Sequence, residues 1–137
     1  MKTEEIRQIL KDYGLKVTPQ RLAVYEALCV LGHPYADDIA NHVRQTNPSI
    51  SVATIYNTLE HFKKKNLLFK VETCHDKMRY DAGMHKHYHI CDPLNDKIID
   101  FADPELDEIL TNYFAKKELD HVKVNDIRLL IVGSIAN

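Results

Sequence analysis

Two helical periods separated by the short run NPSI constrain this chain more than any other feature. ADDIANHVRQT (36–46) carries carboxylates in its first turn, where the helix dipole favours them. SVATIYNTLEHFKKKN (51–66) starts with Ser51 as a helix cap and puts Ile55, Leu59 and Phe62 on one apolar face. Two helices joined by so tight a turn resemble a helix-turn-helix. In that motif the N-terminal part of the second helix enters the DNA major groove.

The flanking segments fit this core. EEIRQILKDYG places Ile6, Ile9, Leu10 and Tyr13 at helical spacing and stops at Gly14. In VTPQRLAVYEALCVLG, Thr18 can cap and Pro19 suits the first helical position. Leu22, Val24, Tyr25, Leu28 and Leu31 then form a stripe that Gly32 ends. After the fourth helix, LLFKV and KMRYD flank a polar turn at Cys74–Asp76 and predict a hairpin. Residues 1–82 are therefore expected to form a winged helix-turn-helix domain, with Ala82–Gly83 as a hinge.

Residues 83–137 read differently. HKHYHIC and KIIDF predict a second hairpin, ELDEILTNYFAKK a helix, and VKVNDIRLLIVG a long terminal strand. The expected fold class is α+β, an N-terminal winged helix-turn-helix domain followed by a small α/β dimerisation domain. A lobe of about 55 residues is marginal alone, so pairing with a second copy is expected.

Charge separates the same two parts. Residues 1–83 carry 12 Lys+Arg and 10 Asp+Glu; residues 84–137 carry 6 and 10. A mildly basic front needs locally placed cations, or a dimer, to hold DNA phosphates. No apolar run approaches the ~20 residues that span a bilayer. MKTEEIRQIL lacks the pattern of a secretory signal, and Cys29, Cys74 and Cys91 are too irregular for a disulfide framework. The expected compartment is the cytoplasm, with no membrane partner.

The face of the fourth helix that would meet DNA offers Ser51, Thr54, Tyr56 and Asn57. Hydroxyls and amides can read base edges, and Asn suits adenine. Lys16 and Arg21 lie where a neighbouring helix start could clamp phosphate. The plainer reading is an amphipathic helix with an ordinary polar face. For Lys63–Lys65 a solvated helix end is at least as good an account.

A second cluster lies in HKHYHICDPLNDKIIDF (85–101). Alternate side chains of a strand share a face, so His85, His87 and His89 are expected to project together. Two imidazoles so placed can chelate one cation, whereas a lone histidine is ordinarily a surface or satisfied core residue. Asp81 at a strand end, Asp100 within KIIDF and His33 between two helices are further candidates. Each also reads plainly, as a strand-end carboxylate, a turn residue or a cap. Spacing alone does not gather them. Gathered, His33, His87 and His89 with Asp81 and Asp100 would suit Fe(II) or Mn(II), although Zn(II), Cu(II) or Ni(II) bind such donors as well or better. A structural zinc site usually takes paired CxxC motifs, and Cys91 has no second cysteine beside it.

Together these stretches resemble the ferric uptake regulator superfamily, and its peroxide-sensing, PerR-like branch in particular. The anchors are VTPQR (17–21), GHPYADDI (32–39), SVATIYNTL (51–59), RYD (79–81), HYH (87–89) and KIIDF (97–101), in that order. The resemblance implies a homodimeric, metal-dependent repressor that binds double-stranded DNA at a pseudo-palindromic operator. It carries the regulatory ligands onto His33, Asp81, His87, His89 and Asp100, with Fe(II) or Mn(II) bound and Zn(II) able to substitute in vitro. It also implies that peroxide oxidises a ligand histidine and so releases DNA. The aspartate of RYD favours peroxide sensing over the alternative, a sensor of iron or manganese supply.

The chain departs from the family in three ways. Cys91 keeps one of four zinc-binding cysteine positions, so no structural zinc is expected. A second metal site would need ligands where Lys86, Tyr88 and Asp126 stand. Tyr35 replaces a Ser or Thr cap, so the third helix is expected to start loosely. An enzyme is not expected, because no acid–base pair or cofactor motif accompanies the ligands, and peroxide is the one small molecule the reading requires. A metal-free winged-helix module is the remaining alternative.

Overall fold

The computed structural model describes residues 2–71, 73–75, 77–82 and 88–136. The chain divides into two units, Met1–Met84 and His85–Asn137. Gly83 of the expected hinge, with His85, Lys86 and His87, lies outside the described residues.

The first unit holds α1 (Thr3–Asp12), α2 (Pro19–Leu31), α3 (Ala36–Thr46) and α4 (Val52–Lys64). Its helix starts follow from single side chains. The Arg21 N–H donates to Thr18 Oγ1 at 3.2 Å, and the Thr54 N–H donates to Ser51 Oγ at 3.1 Å. The loose start expected for α3 is not found. The Tyr35 N–H donates to Asp38 Oδ2 at 3.0 Å, so a carboxylate one turn in ties down the helix start. α2 stops at Gly32, whose φ of +80° is strained for any residue with a Cβ. Thr18→Ala is expected to lower stability by about 1 kcal/mol in urea unfolding, since the first turn of α2 loses its acceptor.

The four helices share one core. Ile6, Leu10, Val24, Tyr25, Leu28, Ile39, Val43, Ile55, Leu59 and Phe62 are all buried. Tyr25 meets Phe62 edge-on at 5.9 Å. The stripe expected for α2 ends earlier than its sequence suggests, because Leu31 is exposed. The wing follows as β1 (Phe69–Val71) paired antiparallel with β2 (Arg79–Asp81), Phe69 opposite Asp81. This unit is a winged helix-turn-helix.

In the second unit β3 (Tyr88–Asp92) is the central strand of three. It pairs antiparallel with β4 (Lys97–Phe101) and parallel with β5 (Leu130–Val132). α5 (Pro104–Lys116) starts at Asp103, whose carboxylate accepts from the Glu105 and Leu106 N–H groups. The long terminal strand expected from VKVNDIRLLIVG shrinks to three residues. Alternation makes a segment capable of a strand, but only a partner makes it one. β3 offers β5 a partner from His89 to Cys91 alone. Upstream, Val122 and Val124 are exposed, and Asp126 turns back onto the Ile127 N–H.

Candidate functional site

His33 lies in the loop between α2 and α3, and the wing holds that loop from a distance in sequence. Arg79 Nη1 donates to the His33 carbonyl at 2.6 Å, and the Tyr80 N–H donates to the Pro34 carbonyl at 2.9 Å. The Arg79 guanidinium also lies over the Tyr35 ring, 4.3 Å from its centre. The loop is thus fastened along β2, whose last residue is Asp81. His33 Nε2 comes within 3.8 Å of Asp81 Oδ2, both side chains being largely sheltered.

The second unit builds a matching pair on its own sheet. His89 of β3 faces Asp100 of β4 in register, and His89 Nε2 stands 3.4 Å from Asp100 Oδ1. Here the imidazole is sheltered and the carboxylate is half exposed, at 16% and 53%.

Both pairs have the bite of metal ligands. Two donors on one first-row ion, each at ~2.1 Å, stand ~3.0–3.5 Å apart when adjacent. The His89–Asp100 separation falls in that range, and the His33–Asp81 separation needs only a few tenths of an ångström. Each pair offers one imidazole nitrogen and one carboxylate oxygen, a donor set that fits Fe(II) or Mn(II). His87 lies outside the described residues.

Tyr88, at a position where a second metal ligand would stand, has another occupation. It is buried, and its hydroxyl donates to Asp107 of α5. Burial first, and the Asp107 carboxylate second, push its phenol up to about 12, so it remains a donor. Asp126 engages Arg128.

On the DNA-binding side the structure sorts the candidates. Lys16 and Asn57 are exposed. Arg21 Nη1 donates to the Lys16 carbonyl at 2.8 Å, which fixes the loop that carries the Lys16 ammonium. Ser51 and Thr54 are coupled to each other, Ser51 Oγ donating to Thr54 Oγ1 at 2.9 Å. Their first role is to start α4. The Tyr56 hydroxyl donates to Asp37 Oδ1 at 2.8 Å.

Two residues that sequence reasoning missed thus enter the site, Asp37 and Arg79. Asp37 reads as an ordinary helix-start carboxylate and Arg79 as an ordinary strand cation. Only the fold brings each to its partner.

Residues 12–131 match the model of the ferric uptake regulator family. The peroxide operon regulator of Bacillus subtilis is 39% identical over 108 residues, covering 77% of this chain and 74% of that protein. The Campylobacter jejuni peroxide stress regulator superposes with a TM-score of 0.75 at 28% identity, over 95% of this chain and 96% of that one. The Helicobacter pylori ferric uptake regulator, whose structure is described as having three functional metal binding sites, superposes with a TM-score of 0.73 at 27% identity, over 97% and 92%. With its winged helix-turn-helix and these relatives, the chain belongs to the ferric uptake regulator family.

Proposed function

We propose that this protein is a metal-dependent transcriptional repressor that senses hydrogen peroxide, and that it is not an enzyme. The observation that carries the reading is the imidazole–carboxylate pair on each unit, in a chain that begins with a winged helix-turn-helix. The proposed ligands are His33, Asp81, His87, His89 and Asp100. Fe(II) or Mn(II) is the proposed ion, with Zn(II) a substitute in vitro. Bound Fe(II) would supply one-electron reduction of peroxide beside the ligand imidazoles, and Mn(II) the same shape without that reactivity.

The chain's own residues supply the switch. An ion held by both pairs would favour one arrangement of the two units, by the difference in its binding free energy between arrangements. The favoured arrangement is the one in which two copies present α4 to the half-sites of a pseudo-palindromic operator. Oxidation of His33, His87 or His89 removes a donor, ends that preference and frees the DNA. The names of the Bacillus subtilis and Campylobacter jejuni proteins support the peroxide reading.

A homodimer is supported by the second unit's composition. α5 buries no residue, and Ile109, Tyr113 and Val132 are all more than half exposed. Such an apolar surface suits a second copy of the chain. The proposed compartment is the cytoplasm; among the described residues no helix is long and apolar enough to cross a membrane.

A sensor of iron or manganese supply is the second reading. The likeness to the Helicobacter pylori ferric uptake regulator, at 27% identity against 28% for the Campylobacter jejuni peroxide regulator, favours it nearly as well. One experiment separates them. The protein is loaded with Fe(II) without oxygen, given equimolar peroxide, and mapped by peptide mass spectrometry. The expected result is a one-oxygen gain on His33, His87 or His89 with loss of DNA binding, and neither in the Mn(II) form. Unmodified histidines with Fe(II) retained would replace peroxide sensing with the supply-sensing reading.

A further inference from the structure

The bond between Tyr56 and Asp37 joins α4 to α3 at the protein surface. The phenol donates to Asp37 Oδ1 at 2.8 Å, across nineteen residues of sequence. Neither helix needs this bond for itself. Asp38 already serves the start of α3 by accepting from the Tyr35 N–H, and Ser51 serves the start of α4. The carboxylate also raises the Tyr56 phenol above its usual pKa, which keeps the phenol a donor.

The placement matters for what α4 presents. Tyr56 follows Val52 by one helical turn, and the two side chains are exposed to the same degree, 38% each. Ala53 and Asn57 beside them are exposed as well. A free tyrosine here could swing about two side-chain torsions and offer its hydroxyl to any base edge or phosphate. Tethered to Asp37, its hydroxyl proton is committed and its ring is held to one orientation. An acidic residue beside a groove of phosphates is otherwise unfavourable, since like charges repel.

We propose that Asp37 is a positioning residue for base readout, holding the Tyr56 ring at one place on the face of α4 while itself touching no base. The proposal rests on the DNA-binding reading given above. It predicts that an acidic side chain, whose removal ought to help a protein hold DNA, is required for choosing among sequences.

The test uses the full-length, Mn(II)-loaded protein. A preferred duplex is first selected from a library of randomised double-stranded DNA. The readout is the ratio of Kd for a scrambled duplex to Kd for the selected one. Asp37→Ala and Tyr56→Phe are each expected to lower this ratio roughly three- to tenfold, the scale of one modest hydrogen bond. Combined, they should lower it no further than either alone, because both remove the same bond. Asp37→Asn keeps an acceptor oxygen without the charge and should hold the ratio within about twofold of the parent.

If Asp37 acts by charge alone, Asp37→Ala and Asp37→Asn will behave alike, binding both duplexes more tightly at an unchanged ratio. That result overturns the proposal. So does a double variant whose losses multiply. Should Asp37→Ala fold poorly in a thermal melt, Tyr56→Phe against Asp37→Asn decides the matter, since it cuts the bond without touching α3. A parent protein that enriches no sequence would instead remove the DNA-binding reading, and the proposal with it.

Discussion

His89→Ala is expected to bind Mn(II) at least ~100-fold more weakly than the parent and to lose metal-dependent DNA binding in the same proportion. Altering a group that merely orients a ligand already costs about 10–100-fold in metal affinity, and removing the ligand itself costs more. His89 is one of the proposed ligands. It is the second residue of β3, sheltered, with Nε2 3.4 Å from Asp100 Oδ1. The fold should survive the change, because the buried polar groups on that strand are held elsewhere, the Tyr88 hydroxyl by Asp107 and the Asp92 carboxylate by the Ile135 N–H. Isothermal titration with Mn(II) measures the first effect and fluorescence anisotropy on a selected duplex the second. Asp100→Asn should lose less, since an amide oxygen still coordinates. Mn(II) affinity within tenfold of the parent in His89→Ala would take His89 out of the ligand set.

The two imidazole–carboxylate pairs differ in how far the sequence reveals them. His89 and Asp100 face each other because a hairpin joins β3 to β4, and alternation plus a turn is enough to suggest such a register. His33 and Asp81 are a different case. They meet because Arg79 and Tyr80 hydrogen-bond to the 33–34 loop, and nothing in GHP announces that a strand more than forty residues on will hold it. The family resemblance points to both residues, whereas residue spacing alone reads them as a turn histidine and a strand-end carboxylate. The same contrast runs through the fold. The caps Thr18 and Ser51 and the apolar faces of α2 and α4 are local and legible, because a helix makes its hydrogen bonds within itself. The terminal strand is shorter than its alternation suggests because a strand makes its bonds elsewhere. The Tyr56–Asp37 bond was missed for the same reason. Each residue has an adequate local role, and only packing of α3 on α4 brings them together.

Nothing local in the sequence marks Asp92, yet its removal should produce the largest loss of stability in the second unit. It lies in CDPL, and in the sequence it reads as an ordinary turn carboxylate. In the structure its side chain is buried and fully engaged. Oδ1 accepts from the N–H groups of Leu94 at 3.0 Å and Asn95 at 3.3 Å. Oδ2 accepts from Asn95 Nδ2 at 2.9 Å and from the Ile135 N–H at 3.0 Å. One carboxylate therefore fastens the β3–β4 turn to the segment after β5, beside the bond from the Gly133 N–H to the Cys91 carbonyl. The Ile135 N–H foremost, and the Asn95 side chain next, hold its pKa at about 2, below the ordinary 3.8. The folded state thus favours the charged form. Its stabilisation is fully present above the ordinary value and is lost as pH falls from about 4 through about 2. Asp92→Ala leaves four donors without their acceptor and should lower Tm by on the order of 5–10 °C near neutral pH. The difference between parent and variant should then shrink across the acid window, because protonation removes from the parent what the substitution has already removed from the variant. A Tm difference that stays constant down to about pH 2 would assign the loss to side-chain packing and not to the carboxylate.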